Sequence, residues 1–208
     1  MNFLEYPYVI ITMFVSIILL MGLSGLYFTM KSAKTAKGTV EHNFCGIGKI
    51  ENDFEKAGAM RGNRCIVYIS ISLDSMKRLY PESRAIRMYE QIKGLLLHHF
   101  CFCVGGEISI YEKENYVALN KLEADQIAHC IEKCFEEINE VLARHGAVNV
   151  VHVNFGYHCT SATDISFQTA LGRAKQACSI AEMKEVLHCQ WDSSNGREFE
   201  RKIKIENN

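Results

Sequence analysis

The chain has 208 residues, 48% hydrophobic and 23% charged, a globular composition that excludes a disordered, collagenous or low-complexity protein. Its 23 Lys and Arg against 24 Asp and Glu leave a net charge of −1, which argues against a general nucleic-acid binder, whose affinity rests on clustered cations. The charge is unevenly spread: the first 30 residues hold Glu5 alone.

From Tyr6 to Met30 there is no charge, and the run YVIITMFVSIILLMGLSGLYF is long enough to cross a bilayer core. A cleaved leader would carry positive charge before the apolar run; here the lysines follow it, as Lys31, Lys34 and Lys37. The expectation is one transmembrane anchor over 1–30, in the inner membrane, with the C-terminal side in the cytoplasm. In that reducing compartment the nine cysteines are expected as free thiols.

Residues 31–63 read as a juxtamembrane connector with a short helix near Glu51–Met60, 64–192 as one domain, and 193–208 as a charged tail. Within the domain, Cys65–Ser72 is apolar and β-branched, hence a strand. A helix follows over Glu82–His99, where Ile86, Tyr89, Ile92, Leu95 and Leu96 recur at helical spacing. Phe100–Val104 and Glu107–Tyr111 read as extended. Asn115–Asn120 is the returning strand, with Glu112-Lys113-Glu114 at the hairpin tip. Leu122–His145 is a long amphipathic helix, Val148–Cys159 a strand, Asp164–Lys184 a helix and Val186–Trp191 a last strand. The expected class is α+β: a ferredoxin-like β-α-β-β-α-β core with an added helix and strand, preceded by one transmembrane helix.

Several strings carry a family resemblance. Asn154-Phe155-Gly156-Tyr157 is similar to a Ser-Ile-Gly-hydrophobic string. Leu171-Gly172-Arg173-Ala174 to Ala181 is similar to a helix written R-A-D-x-A-L-Y-x-A-K. Ser70-Ile71-Ser72 with Met76-Lys77-Arg78-Leu79 resembles a D-x-D-x-F-K-x-I strand exit, with two extra residues, and Phe44-Cys45-Gly46-Ile47 resembles an L-T-G-L opening. Over about 44–191 the chain thus resembles a GGDEF domain, a nucleotide cyclase-like fold whose active members make cyclic di-GMP from two GTP molecules.

The resemblance implies a site, and the residues depart from it. Ser70 stands where the family's metal-binding Asp would be, and a neutral hydroxyl cannot replace it electrostatically. The guanine-reading Asn and Asp fall at about Tyr80 and Pro81. The helix string's final Lys, a phosphate contact, falls on Glu182. Gly105-Gly106-Glu107-Ile108-Ser109 looks like the signature but lies too far from the next helix. The signature position is Glu112-Lys113-Glu114-Asn115-Tyr116, which keeps one acid (Glu114) and the aromatic (Tyr116). Glu112 and Lys113 replace glycines that would admit a phosphate closely. The R-x-x-D product-binding motif is missing, since no Arg lies between Arg87 and Arg144.

The sequence therefore reads as a membrane-anchored, degenerate GGDEF domain without catalytic, cofactor or metal residues. It would act by protein contact in cyclic di-GMP signalling, as a self-dimer or on an EAL-domain phosphodiesterase. The charged tail motivates the second partner, because in related architectures such a segment leads into an EAL domain. Three alternatives stay open: an active cyclase with Mg²⁺ and GTP at a site rebuilt from Glu112, Glu114 or Asp74; a nucleotide sensor without turnover; and a Cys/His metal or redox sensor. For the last, His98-His99-Phe100-Cys101-Phe102-Cys103 is the best metal-like string. Core thiols beside a helix end explain it more simply. The acids at Glu51, Asp53 and Glu55, and at Glu132, Glu136 and Glu137, read as solvated helix faces.

Overall fold

The computed structural model describes residues 44–57, 64–71, 73–112, 115–148, 150–160 and 166–197. The apolar run 6–30 and the end of the charged tail lie outside them. Among the described residues no helix is long and apolar enough to cross a membrane.

The elements follow in the order α1 (Ile47–Lys56), β1 (Cys65–Ile71), α2 (Leu73–Leu79), α3 (Glu82–Leu97), a π-helical turn (His98–Cys103), β2 (Glu107–Tyr111), β3 (Asn115–Asn120), α4 (Ala124–Arg144), β4 (Val153–Cys159), α5 (Phe167–Met183) and β5 (His188–Gln190). The strands form one sheet in the order β2-β3-β1-β4-β5. The first four are antiparallel neighbours, and β5 joins β4 in parallel through the α5 crossover. This is the expected ferredoxin-like core with its added helix and strand.

Side chains alternate between the two faces of β1, and each face has its own core. Val67, Ile69 and Ile71 pack with Met88, Ile92 and Leu96 of α3 and with Ile127, Ile131 and Ile138 of α4. On the other face Ile66, Val117 and Leu119 pack with Ile50 and Phe54 of α1 and with Phe167, Leu171 and Ala174 of α5. Gly156 lets α5 lie directly on β4: a Cβ there would fall 2.0 Å from the Cys178 nitrogen and 2.3 Å from the Ala174 oxygen.

Four features differ from the sequence reading. Helix α1 starts earlier than the proposed 51–60 helix, and its Ile50 and Phe54 are fully buried, so packing reaches back into the 31–63 segment. Its Glu55 is exposed, as expected of a solvated face, and has a further role: the carboxylate accepts the Phe167 N–H at 2.8 Å, capping the start of α5 beside Ser166, which accepts from Thr169 N–H at 3.2 Å.

Phe100–Val104 is not extended. The chain continues from α3 as a π-helical turn, which buries Phe100 against Phe155 (centroids 6.4 Å apart) and ends at Gly105, whose φ of +65° suits glycine. The aromatic and thiol-rich string looked like a strand because it is continuously apolar. Its burial comes instead from one side of a widened helical turn. Strand β4 likewise begins at Val153, after turns that occupy described parts of 148–152.

Finally, not all thiols are free. Cys65 and Cys159 are direct partners across the β1–β4 ladder, with Cα atoms 4.1 Å apart, and form a disulfide. The spacing of 94 residues hides this pairing from any local reading. The other seven cysteines are thiols.

Candidate functional site

The sheet register brings two of the signature positions, Ser70 and Asn115, together. Ser70 lies opposite Asn115 on β3 and opposite Asn154 on β4. Directly opposed residues share a face, so Asn115, Ser70 and Asn154 form a row across three strands on the α5 side. All three side chains are neutral and half-buried. A pair of divalent cations on a triphosphate needs carboxylate oxygens there. Hydroxyl and amide groups offer neutral oxygens and do not fit that role.

The hairpin tip falls where the alternation put it, between Tyr111 and Asn115, and Gly105-Gly106 lies before β2 at the far end of the same strand. Lys113 and Glu114 lie outside the described residues. Glu112 has a φ of +44°, a left-handed conformation that a glycine adopts without cost. Its carboxylate is held by Lys175 of α5, whose Nζ lies 3.1 Å and 3.2 Å from the two oxygens. Lys175 also donates to the Tyr111 hydroxyl at 3.1 Å, and sits 4.3 Å from the Tyr111 ring centroid and 5.5 Å from that of Tyr68. The Tyr111 hydroxyl, then the Lys175 ammonium, hold the Glu112 carboxyl below its ordinary range. The tip is thus tied to α5.

Lys175 is the site residue that the sequence reading missed. The signal was present: in the R-A-D-x-A-L-Y-x-A-K comparison it occupies the position of the Asp, a reversal of charge directly after Arg173-Ala174. Tyr116, expected from the sequence as the signature aromatic, is fully buried; its hydroxyl donates to Tyr89 at 2.7 Å, and its ring packs near Phe44. It serves the core of the α3 and α4 face.

The other expected positions also have structural employment. The Tyr80 hydroxyl donates to the Gly146 carbonyl at 3.1 Å, and Pro81 precedes α3 as its N-cap. Asp74 lies exposed in the first turn of α2. Glu182 is exposed near the end of α5, on the rim of a groove of about 670 Å³ that also touches Asn154, His152 and Glu185. Two carboxylates at that rim disfavour a polyphosphate.

The cysteine–histidine string forms no metal centre. The π-helical spacing brings Cys103 Sγ to 3.3 Å from His98 Nε2, while Cys101 turns away and donates to the Gly106 carbonyl at 3.2 Å. His99 faces Glu137 at 3.2 Å, and burial, the largest effect, keeps its pKa below the ordinary imidazole value. His129 and His188 both approach Glu132, at 3.9 Å and 3.8 Å. Among the described residues no group of three or more His, Cys, Asp or Glu has the geometry to hold a metal ion. Burial raises the thiols of Cys130, to about 11, and of Cys178, to about 12, so neither is a ready nucleophile.

No family model matches the sequence, and no curated protein matches it. Solved structures do match the fold. The active GGEEF domain of a diguanylate cyclase from Vibrio cholerae superposes with a TM-score of 0.57 at 14% identity, over 72% of this chain and 99% of that one. The GGDEF domain of DgcB from Caulobacter crescentus, in complex with c-di-GMP, gives 0.57 at 10% identity, over 69% and 85%. The GGDEF domain of PA1120 (TpbB or YfiN) from Pseudomonas aeruginosa gives 0.57 at 11% identity, over 74% and 91%. At these identities the likeness is one of backbone architecture. The 44–197 portion of this chain has the GGDEF-domain fold.

Proposed function

We propose that the chain is a membrane-anchored, degenerate GGDEF module that does not turn over GTP and acts by protein contact in cyclic di-GMP signalling. The observation that carries this reading is neutral Ser70, at the strand position where the family resemblance calls for a metal-binding acid, opposite the equally neutral signature position Asn115. The Lys175 tie on the hairpin tip and the acidic rim at Glu182 support it. The apolar run 6–30 supports a single inner-membrane span with the folded part on the cytoplasmic side. The partner class is an EAL-domain phosphodiesterase or a second copy of this chain, and nucleic acid is not among the partners.

The test is thermal melting of the full chain in detergent, with and without Mg²⁺, against GTP, GDP and cyclic di-GMP, alongside a GTP turnover assay. No shift and no turnover is the expected result, because a ligand that binds the folded state alone raises apparent stability. Metal-dependent formation of cyclic di-GMP overturns the reading in favour of a rebuilt cyclase. A shift without turnover replaces it with a nucleotide sensor. Pull-down of an EAL-domain protein, or self-association in analytical ultracentrifugation, identifies the partner class. Failure of both sinks the contact mechanism.

A further inference from the structure

Where the end of α4 meets the start of α3, cationic side chains gather. Arg84 donates to the His145 carbonyl and stacks over the Tyr80 ring, 5.0 Å from its centroid. Arg144 bonds the Glu140 carbonyl at 3.3 Å, in its own helix. Arg87 lies one turn beyond Arg84, on the exposed side of α3. All three guanidinium groups are close enough to His145 to disfavour its protonation, adding to the effect of burial.

Among the described residues, none of Arg84, Arg87 and Arg144 forms an ion pair with a carboxylate. The nearby Glu82 is already paired with Lys77 at 3.3 Å. Arg78 is exposed on α2 beside them. Two aliphatic side chains are exposed on the same pair of helices: Leu79 at the end of α2 is 52% exposed and Ile86, next to Arg87 in the chain, 42%.

The structure assigns this corner to an anionic lipid surface. The assignment rests on the membrane-anchored reading above. Unpaired guanidinium groups attract acidic headgroups. Protruding Leu and Ile side chains suit the boundary between headgroups and acyl chains. A covalent anchor makes the encounter intramolecular, so even a modest patch engages. Charge complementarity also fits an acidic polypeptide, and the lipid surface is favoured because the anchor supplies it continuously and the exposed aliphatics match its depth.

The experiment uses the full chain in nanodiscs of phosphatidylcholine, with or without phosphatidylglycerol, and reads amide hydrogen exchange. Exchange at 79–90 and 141–148 is expected to slow severalfold in the phosphatidylglycerol discs, and the protection to vanish at high salt. The triple variant Arg84→Gln, Arg87→Gln, Arg144→Gln is expected to lose it. Arg87→Gln alone, which removes no intramolecular hydrogen bond, is expected to weaken it, with folding checked through the fluorescence of Trp191, the one tryptophan in the chain. A chain that enters the discs but shows no protection, or equal protection in both lipids, overturns this inference and leaves the anchor intact. A chain that stays outside the discs overturns the anchored reading itself. Protection produced by poly-glutamate and not by lipid reassigns the corner to an acidic polypeptide.

Discussion

Lys175 Nζ lies 3.1 Å from Glu112 Oε1, joining the tip of the β2–β3 hairpin to the middle of α5. The pair brings together residues 63 positions apart and holds Glu112 in a left-handed backbone conformation. Side chain and backbone therefore oppose one another at this residue.

That opposition gives a two-step expectation. Lys175→Met loses an ion pair that is partly exposed and two ring contacts, costing about 1 kcal/mol. In that background Glu112→Gly has no ion pair left to lose and relieves the positive φ, so it stabilises by about 1 kcal/mol. Urea denaturation of both variants checks the signs. A destabilising Glu112→Gly in the Lys175→Met background would contradict the account.

The same residue sets a pH dependence. The folded-state pKa of Glu112 lies below its ordinary value of 4.5, held down first by the Tyr111 hydroxyl and then by Lys175. The stabilisation is thus complete above the ordinary value and lost as pH falls through the depressed one. The urea midpoints of the parent and Glu112→Gln are expected to differ by a constant small amount at neutral pH and to converge in acid. A gap that widens below pH 4.5 would reverse the assigned sign.

Gly156 is the most demanding small residue at the β4–α5 contact. Its missing Cβ leaves room for backbone atoms of Ala174 and Cys178, which cannot move as a flexible side chain can. Gly156→Ala is expected to destabilise by about 3 kcal/mol or more. A denaturation midpoint close to that of the parent would show that α5 can lift from the sheet cheaply.

The Cys65–Cys159 bridge has a direct chemical test. In denaturant without reductant, alkylation followed by mass spectrometry is expected to label seven cysteines, leaving 65 and 159 joined. Reduction before alkylation labels all nine. Closing a loop of this length stabilises by about 5 kcal/mol in the chain-entropy view, so the reduced protein is expected to melt at lower temperature. Nine labelled cysteines without reductant would show that the strands pair as free thiols.

Ser70 and Asn115 can be replaced by acids. The double variant Ser70→Asp, Asn115→Glu sets two carboxylates opposite one another across β1 and β3. Like charges at opposed positions destabilise the sheet, and a divalent cation relieves them. The variant is expected to melt below the parent and to recover with Mg²⁺ or Mn²⁺, whereas the parent is indifferent to either ion. A parent that responds equally would restore a metal role to the native residues.

The sequence by itself determined those features whose physics is local. Alternation in Glu107–Tyr111 and Asn115–Asn120 placed the hairpin tip at 112–114, and the apolar spacing of α4 and α5 placed both long helices. Ser70 as a neutral residue needed no coordinates to recognise. Only the tertiary structure decided what joins distant segments. Register made Asn115 and Asn154 neighbours of Ser70, paired Cys65 with Cys159, and brought Glu55 to the start of α5. Packing kept His98–Cys103 helical, because Phe100 meets Phe155 across the core, against the extended reading of its own apolar string. Lys175 belongs to both classes: its identity was legible beside Arg173-Ala174, but its hold on Glu112 exists because α5 crosses the sheet next to the hairpin.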